Sequence, residues 1–392
     1  MLLAGRVQPL LFSGAFFALV FELCHYVSAV VFPLIAVLIL LYIRDKRRRY
    51  FFNVLILSAL LFFALGEFFF RLHYLGPQAI LNFSRYVPAG LGHPLTDLQY
   101  DEKTYTGLAA NQDRLFQGRR FLTNSLGFRD EDYAFQKPAD TVRVMVCGTS
   151  LSTGNGVHQG EPYPDQLEQM LNQMPDSSQN YEVINLSRGA YGVDDCLDAV
   201  AKVGRKYQPD FIILEPRWTN TGLHPIPRVP DAGPLGRIFS QNTWLAMSFF
   251  YQAMHREFVA VRVERFLTFK QMLLMRAGKA GQEEQASRAG VMVLVEDYLK
   301  TFKTAWQDIP FFIVTLRPIN QLHRPFHVGS DEKALYAKYQ IQHIDTTNAD
   351  YGTYGSDRVV YPGDTHPNAK AHRIYASVIL EALRPYLIKK AV

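Results

Sequence analysis

The chain has 392 residues, 48% of them hydrophobic and 13% aromatic, and a formal net charge of +5. The run Arg44-Asp45-Lys46-Arg47-Arg48-Arg49 carries most of that charge, so the remainder is nearly neutral and offers no broad basic surface for nucleic acid. Three cysteines, Cys24, Cys147 and Cys196, are too few for a disulfide framework.

Leu10 to Ile43 is almost purely apolar, interrupted by Glu22, Cys24 and His25 and open to a kink at Pro33. A second apolar stretch runs from Phe51 to Phe70. Each can supply a membrane-crossing helix, which needs about 20 residues. Two such stretches joined by a basic link fit residues 1–71 as a membrane anchor and fit a cleaved leader poorly. The basic link is expected on the cytoplasmic side, which sends everything after about residue 72 to the opposite side. A hairpin near Glu22–Tyr26 gives three spans; an interfacial segment over 8–24 gives two. Glu22, His25 and Glu67 are expected near the headgroups.

Residues 72–140 form a lead-in segment rich in turn signals, including Thr123-Asn124-Ser125-Leu126-Gly127-Phe128-Arg129-Asp130. From 141 to 392, strands alternate with amphipathic helices. The pattern predicts strands over 142–147, 181–186, 211–214, 311–315 and 341–344, and helices over 161–174, 194–207, 291–306 and 368–387. Cys147 falls in the first strand and Cys196 on the second helix, each packed as a small apolar group. The insert at 223–290 opens Pro-rich; its stretch Ile238–Met275 reads as a helical lid, as an interfacial segment, or as two ordinary packed helices. Short apolar strands separated by such helices predict an α/β domain with a mostly parallel sheet covered on both faces.

In such sheets, sites lie beyond the carboxyl ends of the strands. Ser150 follows the first strand, Gly189 the second and Asn220 the third, while Asp364 and His366 precede the final helix. One sheet edge therefore gathers a serine, a histidine and an aspartate, the minimum for nucleophilic acyl transfer. His158, His224, His323, His327 and His343 show no zinc-type spacing, and no phosphate-binding or dinucleotide glycine loop is present, so neither metal nor cofactor is expected. His372 reads as a helix-surface residue.

These residues resemble the SGNH (GDSL-type) hydrolase superfamily, in its membrane-anchored bacterial branch. Gly148-Thr149-Ser150, followed by Leu151 to Val157, is similar to the first block. Asn185-Leu186-Ser187-Arg188-Gly189 is similar to the second, and Trp218-Thr219-Asn220 to the third. Asp364 and His366, then Pro367-Asn368, match the last. Thr149 stands where the family has an aspartate that orders the turn, Thr219 where it has a glycine, and Asp364 and His366 are separated by one residue where two is commonest.

The resemblance implies a three-layer α/β/α domain. Ser150 would be the nucleophile, His366 the base and Asp364 its orienting partner. The oxyanion hole would comprise the Ser150 and Gly189 N–H groups and the Asn220 side chain. It further implies a membrane-anchored serine esterase of the bacterial inner membrane, with its catalytic domain on the periplasmic side. The substrate would be an ester-linked acyl group on a carbohydrate, envelope component or lipid. Two other readings stand beside it: an O-acyltransferase working with a membrane-bound acyl-transfer partner, and a non-catalytic envelope binding module.

Overall fold

The structure, a computed structural model, describes residues 45–82, 86, 108–116, 118–175, 179–189, 191–216, 248–250, 281–316, 330–347, 349, 360 and 366–390. The chain divides into two units, Met1–Gly92 with Asp231–Thr268, and His93–Pro230 with Phe269–Val392.

In the first unit, the Asp45 carboxylate accepts from the N–H groups of Arg47 and Arg48 at 2.7 and 3.3 Å and starts helix α1, Lys46–Phe70. Most of the basic run thus forms the opening turn of the helix, where Asp45 offsets the unfavourable placement of cations at a helix N-terminus. The helix continues as a π turn over Arg71–Leu75, followed by α2, Gln78–Leu81. Lys46–Leu75 is long and apolar enough to cross a membrane, and only 6% of its most apolar window is buried. The stretch Leu10–Ile43 and the hairpin near Glu22–Tyr26 lie outside the described residues.

Glu67, near the end of α1, is buried. It accepts from Arg71 Nε at 2.5 Å, the Ser248 hydroxyl at 2.7 Å and the Phe250 N–H at 2.8 Å. It therefore caps the segment Ser248–Phe250, accepting from its backbone N–H groups as a side-chain acceptor does at a helix start.

The second unit opens with an antiparallel hairpin, β1 Asp113–Phe116 and β2 Arg119–Leu122. Then follow β3 Thr141–Cys147, α3 Ser150–Thr153, α4 Tyr163–Asn172, β4 Asn180–Asn185, α5 Val193–Lys202 and β5 Phe211–Leu214. The chain continues with α6 Gly281–Ala305, β6 Phe311–Thr315, α7 Ser330–Lys338, β7 Gln342–Asp345 and α8 Ala369–Lys390. The helix expected over 194–207 breaks after α5 into a 3₁₀ turn, Gly204–Tyr207. There Gly204 packs so closely on the sheet that a Cβ would stand 2.5 Å from Met145 Sδ. Helix α6 begins ten residues earlier than 291, because Gln282-Glu283-Glu284-Gln285-Ala286 are good helix formers without a breaker.

The five strands β4-β3-β5-β6-β7 form one parallel sheet in that order. Side chains alternate between the two faces of the sheet along β3. Val142, Val144 and Val146 of β3 join Leu167 and Leu171 of α4 and Tyr375 and Ile379 of α8 on one face. Met145 and Cys147 join Cys196 and Val200 of α5, Val295 and Leu299 of α6 and Tyr336 of α7 on the other. Two apolar cores, one on each face, make the expected three-layer α/β/α domain.

Arg143, fully buried within β3, is satisfied by Glu182 at 2.7 Å and by the carbonyls of Tyr207, Phe135 and Ala134. Numbered as they enter, the sheet strands run 2-1-3-4-5, so the order reverses between β3 and β5. In sheets of this kind that point opens a crevice for ligands.

Candidate active site

Ser150 stands at the reversal point. Strand β3 ends at Cys147, whose carbonyl accepts from the N–H of Glu215, just past the end of β5, at 2.8 Å. The chain then turns at Gly148, where a Cβ would stand 2.5 Å from Ser152 Oγ and 2.6 Å from Glu215 Oε2; only glycine fits. Thr149 caps α3, its hydroxyl accepting from Leu151 N–H at 3.4 Å. Ser150 is the first helical residue and half-buried, and its N–H precedes any intrahelical acceptor.

A buried carboxylate holds this turn from below. Glu215 accepts from Thr149 N–H at 2.6 Å, Thr149 Oγ1 at 2.9 Å and Ser152 Oγ at 3.0 Å. Ser152 Oγ also lies 3.0 Å from the Tyr163 hydroxyl. Because Ser152 gives its only proton to Glu215, Tyr163 is the donor in that second contact. Burial pushes the Tyr163 hydroxyl well above the usual phenol range, so it stays protonated and able to donate. The carboxylate that the resemblance places on the turn itself, at Thr149, is thus supplied by the neighbouring strand.

A second side chain holds the far end of the turn. Arg129 is fully buried and donates to the carbonyls of Thr153, Gly154 and Val157, while its guanidinium lies 4.6 Å from the centre of the Phe121 ring. Burial lowers its pKa to about 10, against the pull of Asp165 and Glu161, and leaves it charged at neutral pH. Its neighbour Asp130 accepts from Asn185 N–H at 2.7 Å, and Asn185 Nδ2 reaches the Ser152 carbonyl at 3.0 Å. The lead-in segment 123–130 therefore braces both the turn that carries Ser150 and the end of β4.

Gly189 lies against Ser150: a Cβ built on it would stand 3.8 Å from Ser150 Cβ and 3.2 Å from Asn155 Nδ2. The structure thus brings two of the five expected site residues together. His366 is half-buried in the turn before α8, and its carbonyl accepts from Val360 N–H at 3.1 Å. Asp364 and Asn220 lie outside the described residues.

His372 is fully buried, correcting its reading as a surface residue. Its Nδ1 accepts from Tyr163 N–H at 3.1 Å. Helix α4 starts after Pro162, which has no side-chain acceptor for that group, and the inward face of α8 supplies one. Burial, with Arg129 and His366 nearby, drives the His372 pKa down to about 3, so the imidazole is neutral.

Sequence reading did not foresee the parts played by Glu215, Arg129 and His372. The available signal was a glutamate closing the all-apolar strand Phe211–Leu214, since a charge there must find donors.

No protein-family model matches the chain, and no curated protein matches it. Solved structures do. TesA is 11% identical with a TM-score of 0.34, over 62% of this chain and 98% of that one. An acetyl xylan esterase, AlAXEase, is 14% identical with a TM-score of 0.35, over 62% and 100%. A two-domain esterase (CEX) active on acetylated mannans is 12% identical with a TM-score of 0.37, over 62% and 49%. The architecture itself stands on the strand order, the parallel registers and the two helical layers of this chain.

Proposed function

We propose that this protein is a serine esterase that cleaves ester-linked acyl groups through an acyl-Ser150 intermediate. The observation that carries the proposal is Ser150 at the first position of a braced helical turn, at the sheet's reversal point, with Gly189 against it.

A serine hydroxyl needs a base to attack, and a histidine serves. In the proposed reaction the Ser150 oxygen bonds to the acyl carbon while His366 takes its proton. The carbonyl electron pair moves onto oxygen, where the Ser150 and Gly189 N–H groups and the Asn220 side chain receive it. His366 returns the proton to the departing alkoxide. Water then repeats the sequence and frees the acid. Asp364 would hold the His366 tautomer and stabilise its charged form. Its role, like that of Asn220, rests on the motif resemblance.

We further propose that Lys46–Leu75 anchors the protein in the bacterial inner membrane with the α/β domain on the periplasmic side. Its substrate would then be an O-acylated carbohydrate, envelope component or lipid. The exposed apolar face of that helix supports the anchoring. Transfer to a sugar hydroxyl in place of water would make the same site an acyltransferase. Adding candidate sugars and analysing the products separates the two outcomes.

The test is to treat the full-length protein in detergent with a fluorophosphonate probe and locate the label by mass spectrometry. Labelling of Ser150 is expected, with loss in Ser150→Ala and His366→Ala. A folded wild type that takes no label and leaves p-nitrophenyl acetate intact would overturn the esterase reading.

A further inference from the structure

We infer that the Asn155 side chain is an additional oxyanion donor, delivering its Nδ2–H to the tetrahedral intermediate beside Ser150 and Gly189. This role rests on the serine-esterase reading and deepens it.

The chain folds Asn155 back onto its own nucleophile. The N–H groups of Gly154 and Asn155 both donate to the Ser150 carbonyl at 3.1 Å. Gly154 turns the chain in the left-handed region, at φ +75°, and a Cβ there would stand 2.4 Å from Pro162 Cγ. Arg129 clamps the carbonyls of Gly154 and Val157 on either side of the residue. Asn155 is therefore carried on a loop fixed from both flanks.

Its amide is not used by the fold. The residue is only 7% exposed, and among the described residues Oδ1 is buried without a donor. Among the described residues, no hydrogen bond uses Nδ2. A buried asparagine retained for structure normally engages both ends of its amide. Nδ2 instead faces the space beside Gly189. It stands 3.2 Å from the point a Gly189 Cβ would occupy, and that point is 3.8 Å from Ser150 Cβ. The missing side chain at 189 leaves a gap bordered by the serine and by an unused N–H donor. A donor fixed before the reaction, with no competing acceptor, is what oxyanion stabilisation requires. No proton is transferred through the amide: it donates a hydrogen bond to the oxygen that gains the carbonyl electron pair and releases that oxygen when the pair returns.

The test compares wild type, Asn155→Ala and the near-isosteric Asn155→Asp as full-length proteins in detergent. It measures p-nitrophenyl acetate kinetics per titrated active site, Ser150 labelling by fluorophosphonate, and melting. Asn155→Ala is expected to lower kcat about 100- to 1000-fold with little change in KM, and to slow labelling in parallel. Asn155→Asp, which offers an acceptor where a donor is needed, is expected to be slower still. A purely structural role would lower the melting temperature and the fraction of labelled sites while leaving the rate per site unchanged. That result, or a folded Asn155→Asp as fast as wild type, overturns the assignment. A wild type neither labelled nor active removes the esterase reading and this role together. That outcome is distinct from an active wild type whose Asn155 variants are unimpaired.

Discussion

Replacing Glu215 tests whether a buried carboxylate just past β5 holds the turn that carries Ser150, the proposed nucleophile. Glu215→Ala strands the Thr149 N–H, the Thr149 hydroxyl and the Ser152 hydroxyl, which the carboxylate now accepts at 2.6, 2.9 and 3.0 Å. Each stranded buried donor costs about 1–3 kcal/mol, so the three cost roughly 3–9 kcal/mol. A domain's whole stability is about 5–15 kcal/mol, so this variant is expected to be marginal. Glu215→Gln is the sharper probe. Its carbonyl oxygen can keep the Thr149 N–H and Ser152 hydroxyl, and its amide can donate to Thr149 Oγ1 once that hydroxyl rotates. Mainly the charge is lost. The two retained bonds become neutral ones, each weaker by about 1 kcal/mol, and relief from burying a charge returns part of that. The expected net loss is about 1–2 kcal/mol, or a melting temperature lower by about 2–8 °C. Thermal unfolding of the full-length protein in detergent measures it, together with the fluorophosphonate labelling rate of Ser150. If Glu215→Ala melted within about 2 °C of wild type, a difference of about 0.5–1 kcal/mol, and labelled at the same rate, the bracing argument would be wrong.

Gly148→Ala places a methyl group 2.5 Å from Ser152 Oγ and 2.6 Å from Glu215 Oε2, and is expected to abolish labelling even where circular dichroism shows a folded domain. Arg129→Lys exchanges a fork of donors for one ammonium and leaves carbonyls among Thr153, Gly154 and Val157 unpaired. A loss of roughly 2–4 kcal/mol is expected in chemical denaturation. His372 gives a pH signature. Its pKa falls from 6.5 to about 3 on folding, so the unfolded chain binds more protons between those values. The stability contributed by neutral His372 is complete above pH 6.5 and is lost as pH falls toward 3, by up to about 1.4 kcal/mol per unit. Asp165, raised to about 6 chiefly by burial, contributes in the opposite sense, its share being lost as pH rises from 3.8 toward 6. The informative quantity is therefore the difference between wild type and His372→Gln, which can still accept from Tyr163 N–H. That difference should shrink as pH falls from 6.5 to 4 in unfolding curves, and a constant difference would refute the assignment.

The sheet was legible because its strands are short apolar runs between turn signals: Thr141–Cys147 and Phe211–Leu214 are buried at every position. Final helix α8 was legible from its periodic apolar face and from Asn368, whose side chain accepts from Ala371 N–H at 3.1 Å. The hairpin Asp113–Phe116 with Arg119–Leu122 was not, because charged residues break its alternation; Arg120 pairs with Asp113 at 2.7 Å across the two strands. Helix α7 was missed for a similar reason: Ser330–Lys338 is mostly polar and shows no apolar stripe. Ser150 and Gly189 could be named from local motifs. Glu215 could not be given a role, since its partner Thr149 is 66 residues away in sequence. His372 lies 209 residues from Tyr163, and helical periodicity alone cannot show that α8 packs on the start of α4.

The Thr149 departure now has a physical reading. A nucleophile turn at the end of a parallel strand has N–H and hydroxyl groups that point back into the sheet, where water cannot reach them. They need an acceptor, and a carboxylate is a strong one. The acceptor can ride on the turn or on the adjacent strand, provided its oxygens arrive at the same place. Here β3 and β5 are hydrogen-bonded neighbours with Cys147 opposite Leu214, so the next residue of β5's chain, Glu215, reaches the turn directly. Thr149 then serves as donor to that carboxylate and as cap of α3. An aspartate at 149 would set two carboxylates against each other in a buried site, raising the proton affinity of one of them. Thr149 and Glu215 are best understood as one unit, and Thr149→Asp is expected to damage the turn unless Glu215 is made neutral at the same time.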